Sequence, residues 1–149
     1  MNKIIAAIAL FFLHQAGLMA QVYSIASIPA ELKEDADAVV RYEQTLFTQT
    51  DVNNGTTKYT LVLTVFNEDG KDYATVVIPQ DKFSELKSFS GAVLESETGK
   101  TTKKISKSDL YTSAYSQDFA ADDKFSVYEY KPSSYPFTIK YEYEIRHKN

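Results

Sequence analysis

Apolar and polar residues alternate with a period of two along much of this chain. The clearest stretch runs from Phe137 to Arg146. Phe137, Ile139, Tyr141, Tyr143 and Ile145 fall on one side; Thr138, Lys140, Glu142, Glu144 and Arg146 fall on the other. Successive side chains of a strand point to opposite faces, so this pattern predicts a strand with one dry and one wet face. A one-residue slip would drive its ionisable groups into the core, which pins the register.

The same reading predicts further strands. Ala38 to Thr48 sets Val40, Tyr42 and Leu46 against Arg41, Glu43 and Thr45, and ends in an Asn54-Gly55 hairpin turn. Lys58 to Phe66 follows, with Leu61, Leu63 and Val65 in phase, and Asn67 to Gly70 predicts a second hairpin turn. Tyr73 to Ile78 is β-branched and apolar on both faces, as a central strand or one between layers would be, and Pro79 ends it. Gly91 to Glu97 and Lys103 to Ser106 flank a third turn at Thr98-Gly99. Phe125 to Tyr130 is another strand, and Lys131 to Ser134 is the turn before the last one.

Two places break the period. Phe83, Leu86 and Phe89 recur at helical spacing after Asp81, which predicts a short helix or a loop pinned by aromatics. Pro29 with Glu31 and Glu34 predicts one or two helical turns over Ala30 to Asp35. From Asp109 to Asp123 the pattern is vague, with Tyr111, Tyr115 and Phe119 four residues apart. About seven or more short strands with one or two short helices predict a mainly β fold, an antiparallel β-sandwich.

The first residues belong to a different pattern. Met1-Asn2-Lys3 is a short positive start, Ile4 to Leu13 is an unbroken apolar run, and Ala16 to Gln21 supplies small residues for cleavage. This is the form of a secretory signal peptide over residues 1–20, leaving residues 21–149 as one sandwich domain. The apolar run falls short of the about 20 residues that a spanning helix needs. No cysteine follows it for a lipid anchor. The expected location is therefore periplasmic or extracellular.

Composition narrows the chemistry. A formal charge of −4 lacks the basic footprint that nucleic acid or anionic membrane requires. The 11 Tyr and 9 Phe without Trp fit pleated, half-wet surfaces. The absence of cysteine removes thiol nucleophiles, thiolate metal sites and disulfides. Cleavage after Ala20 takes away His14 and leaves only His147, too near a chain end for a rigidly held catalytic base. Asp51 to Gly55 superficially resembles a calcium loop, but its glycine falls one place early and Val62 stands where a bidentate Glu belongs. Asp122-Asp123 reads as a solvated turn. Glu142 and Glu144 share one strand face at about 7 Å, a spacing open to paired-carboxylate chemistry, yet Lys140 and Arg146 flank them as on a wet face. Lys100, Lys103, Lys104 and Lys107 cluster at a hairpin: either an edge that repels strand addition, or a site for a glycan, phosphate or acidic partner.

Ile28 to Leu32, Ala36 to Arg41, Gly99-Lys100 with Lys104, Ser108 to Leu110 and Tyr135 to Tyr143 come in one order over residues 23–146. Together they resemble the β-sandwich domain of unknown function 3857 at the N-terminus of secreted bacterial transglutaminase-like proteins. That resemblance implies further strands and then a catalytic domain with a Cys–His–Asp triad. The chain stops at Asn149 and has no cysteine, so it reads as a truncated sandwich to which no such activity carries over. The truncation predicts an open edge at residues 137–145, available for self-association. The expected function is a non-catalytic exported module that binds protein or envelope polymer, with no catalytic, cofactor or metal residues. The alternatives are a carboxylate-only glycan hydrolase using Glu142 and Glu144, and a remnant of a longer protein.

Overall fold

The computed structural model describes residues 23–114 and 124–148; the predicted signal segment, Tyr115, Phe119 and Asp122-Asp123 lie outside them. Eight strands follow one another: β1 (Ala38–Gln49), β2 (Asn54–Val65), β3 (Val76–Gln80), β4 (Ser84–Glu95), β5 (Thr101–Ser106), β6 (Tyr111–Ala114), β7 (Lys124–Tyr128) and β8 (Phe137–Lys148). They form a five-stranded sheet in the order β1-β2-β8-β4-β5 and a three-stranded sheet in the order β3-β7-β6. All pairs are antiparallel. The expected sandwich is therefore present. Among the described residues its helical content is four short 3₁₀ turns, one of them at Ala30–Leu32 where a helical turn was expected.

The alternation in β8 is realised as predicted on the inner face. Phe137, Ile139 and Tyr141 are buried, with Tyr143 and Ile145 half-buried. Ile139 lies across from Leu63 of β2 and Val93 of β4, and these join Val65, Val76, Ile78, Leu86, Phe89 and Ile105 in the core. Fully burying a side chain of this size contributes about 1.5–3 kcal/mol. Tyr141 spans the layer: its hydroxyl donates to the Ala74 carbonyl at 2.6 Å, and burial pushes its phenol well above the ordinary range. It lies opposite Gly91, where an added Cβ would come within 3.1 Å of the Tyr141 ring.

β8 is not an edge. It sits between β2 and β4 and is hydrogen-bonded on both sides along its length. The open edge expected at residues 137–145 is therefore not there, and β8 offers no free backbone for pairing with a second copy. The preceding turn enters β8 through a cis Tyr135–Pro136 bond.

The helical spacing of Leu86 and Phe89 also has a β-sheet cause. The register against β8 shifts between Leu86 and Ser88, so one extra residue, Lys87, bulges out. Two residues three apart then face the same core, which in a regular strand they would not. The bulge is held from two directions. Leu86 N–H donates to Gln80 Oε1 at 2.9 Å, and Lys107 Nζ donates to the Leu86 carbonyl at 2.6 Å. A second bulge lies between Val40 and Tyr42 in β1, so these two residues do not share a face as alternation predicted.

Two turns also differ from expectation. The β1–β2 turn is at Asp51–Asn53, and Asn54-Gly55 already belongs to β2. Asn67 to Gly70 carries the chain from one sheet to the other instead of closing a hairpin. Glycine is needed there, since a Cβ at Gly70 would come 2.4 Å from the Asp37 carbonyl oxygen. β3, expected to be central or to lie between layers, is an edge strand of the small sheet; that is where a sheet tolerates Pro79.

The outer face of the large sheet is not wet throughout. Thr64 and Thr138 are fully buried there, and their hydroxyls are 2.8 Å apart. Val62, Leu94 and Ile28 are buried as well. The cover is the segment Tyr23–Leu32. Ile25 N–H donates to the Ser96 carbonyl at 2.6 Å, and Arg41 donates to Ser27 Oγ at 2.6 Å and the Ser24 carbonyl at 3.3 Å.

Candidate functional site

Beside that strap, the outer face of β8, β4 and β5 opens into a groove of about 820 Å³. Register explains its shape. Ala92 of β4 has Lys140 of β8 on one side and Lys104 of β5 on the other. One step along, Ser90 lies between Glu142 and Ser106. One step the other way, the buried Leu94 lies between Thr138 and Thr101. Small residues in the middle row leave a trough, and the two lysines stand on its flanks. Neighbouring strands are about 4.8 Å apart, so the Lys104 and Lys140 backbones are about 10 Å apart across it.

Two other elements complete the rim. The β4–β5 hairpin brings in Lys100; Gly99 takes φ 69°, a left-handed conformation that favours glycine. Tyr23 comes from the strap, its carbonyl accepting from Arg41 Nη1 at 3.4 Å. Lys140 pairs with Glu142 at 3.2 Å, while among the described residues neither Lys100 nor Lys104 has an ion-pair partner.

The four hairpin lysines thus divide three ways. Lys100 and Lys104 face the groove. Lys103 lies on the opposite face, its Nζ 5.9 Å and 5.6 Å from the ring centres of Tyr128 and Tyr130. Its pKa is raised, chiefly by its interaction with Tyr128. Lys107 is occupied by the β4 bulge. Lys140, absent from the sequence cluster, takes their place. It is 40 residues from Lys100 in the chain, and only the β4–β8 register brings the two together.

The carboxylate pair is not poised for acid–base work. Glu144 lies between Lys87 at 2.6 Å and Lys58 at 3.7 Å. The Lys87 hydrogen bond holds its carboxyl below the usual range, the opposite of what a general acid needs. Glu142 is taken by Lys140. His147 Nε2 is 2.8 Å from Thr57 Oγ1. Ser84, its partner across the sheet, gives its hydroxyl to Asp81 at 2.7 Å, so serine, histidine and aspartate are not chained together. The Asp51 carboxylate accepts from Asn53 N–H at 2.8 Å and Asn54 Nδ2 at 2.9 Å, which lowers its pKa and uses it within the turn. Among the described residues no group of three or more His, Asp or Glu is placed to hold a metal ion, and no helix is long and apolar enough to cross a membrane.

A two-sheet antiparallel sandwich with a groove on one outer face is thus the class of domain at hand. The family model of the domain of unknown function DUF3857 matches residues 51–149, and the chain belongs to that family. Among solved structures, it is similar to the crystal structure of a "putative protease" from Parabacteroides distasonis ATCC 8503, at 16% identity and a TM-score of 0.62. The match covers 75% of this chain and 23% of the other, so this chain spans about a quarter of that protein's length. At that identity the likeness shows the fold. No curated protein matches the sequence.

Proposed function

We propose that this chain is a non-catalytic, exported module that binds a carboxylate-bearing segment of a protein or envelope polymer in the outer-face groove. The observation that carries this reading is the row Lys140–Ala92–Lys104, with Lys100 above it, on a chain of net charge −4. Two lysines whose backbones stand about 10 Å apart across a trough of small and apolar residues match an extended chain with negative groups at intervals. The signal-like N-terminus supports export. The ordered motifs shared with sandwiches of secreted transglutaminase-like proteins support an accessory role in a larger architecture. The similarity to a quarter of a longer protein agrees with that. With no cysteine, this chain itself supplies no thiol nucleophile.

The test is an NMR titration of the purified chain with poly-glutamate and, separately, with neutral dextran. Shift changes confined to Tyr23, Ala92, Leu94 and the hairpin, seen with poly-glutamate alone and shrinking with salt, are expected. The triple variant Lys100→Glu, Lys104→Glu, Lys140→Glu should abolish them. Equal binding by this variant, or no response at low salt, would overturn the reading.

A further inference from the structure

The large sheet ends in two edge strands, and they are built differently. β5 is short and carries adjacent lysines, Lys103 and Lys104, which oppose pairing with another chain. The small sheet guards its β3 edge too, where Pro79 presents no backbone donor. β1 has no lysine, no proline and no such shortness; its one device of this kind is the bulge between Val40 and Tyr42. It is twelve residues long, pairs only with β2 among the described residues, and runs regularly from Tyr42 to Gln49 past its bulge. That regular part is about 26 Å of strand at 3.3 Å per residue. Three of its eight exposed side chains are large and apolar, set among polar ones: Tyr42 is 41% exposed, Leu46 52% and Phe47 58%. Its one charge, Glu43, is already engaged by the Tyr59 hydroxyl at 2.7 Å.

We propose that β1 is an interaction edge that pairs antiparallel with β1 of a second copy of this chain. The two-fold axis passes through Gln44. Self-complementarity selects the second copy. An axis normal to the sheet keeps each face on its own side, so only residues of the same parity meet. Centred on Gln44, Tyr42 of each copy meets Leu46 of the other on the outer face, and Glu43 meets Thr45 on the inner face. No like charges are brought together. Two five-stranded sheets become one, and the unpaired backbone groups of both edges are satisfied. This inference is independent of the groove, which lies at the opposite side of the sheet.

The absence of cysteine makes the test clean. At the axis, the two copies of residue 44 would have Cα atoms about 4.5–5.5 Å apart, within disulfide range. Gln44→Cys should therefore form a covalent dimer under mild oxidation much faster than Thr101→Cys on β5. Sedimentation of the wild-type chain should show a concentration-dependent dimer. Leu46→Lys should weaken it by roughly tenfold or more while leaving the far-ultraviolet circular dichroism unchanged. A wild-type chain that stays monomeric at every concentration would overturn the proposal. So would a dimer indifferent to Leu46→Lys, or equal crosslinking at positions 44 and 101.

Discussion

β1 and β5 close the same sheet on opposite sides, yet one is long and free of lysine and proline, with exposed Tyr42, Leu46 and Phe47, while the other is short and lysine-bearing. β5 also contributes to the groove, so its lysines act on one face and at the edge together. The difference teaches that charge in this molecule is distributed by edge. Where the chain presents backbone to solvent without company it places lysine, proline or a short strand, and β1 is the exception. What ties the two edges together is β8, which makes the sheet continuous between them.

Breaking that tie should have the largest effect. Tyr141→Ala removes the largest fully buried side chain of the core and should cost about 3–5 kcal/mol in urea denaturation. Amide exchange should accelerate in β1 and β5 alike; loss confined to one edge would show that the sheet is not a single cooperative unit. Gly70→Ala forces a methyl against the Asp37 carbonyl just before β1 and should cost about 1–3 kcal/mol, with exchange rising on the β1 side first. Arg41→Ala frees the strap from β1, and a loss of about 1–2 kcal/mol is expected. Its signature is faster exchange of the Ile25 amide, which the strap holds against Ser96.

The pH dependence separates the core strand from the wet face. The folded-state pKa of Tyr141 is raised, so its contribution is complete below the unfolded value near pH 10 and is lost as pH climbs above it. Tyr141→Phe should cost about 0.5–1.5 kcal/mol at neutral pH and flatten that alkaline decline. Glu144 has the opposite sign. Its carboxyl is lowered in the fold, so its contribution is present above the ordinary Glu value near 4.3 and fades as pH falls through the folded value. Glu144→Gln should change neutral-pH stability least of all and reduce only the acid-side slope.

Alternation was enough to place β8 and its inward side, because burial on one face leaves a period of two in the residue types. It was enough for most strands and for the Thr98-Gly99 turn. It misread Phe83 to Phe89, because a bulge counterfeits helical spacing. It misread Thr138 as wet, because the cover on that side comes from the strap at residues 23–32. For the groove, Lys100 and Lys104 were visible as part of a basic cluster, but Lys140 and Tyr23 were not. No local signal joins residues so far apart.

By itself, then, the sequence determined most of the strands, the family resemblance and the exclusion of thiol chemistry, since these depend on local periodicity, motif order and residue types. Strand order was decided only by tertiary structure. Register and layer packing put β8 at the centre, left β1 as the open edge and set Lys104 and Lys140 on either side of Ala92. Which strands become neighbours depends on how faces are buried against one another, and that is a property of the whole sheet.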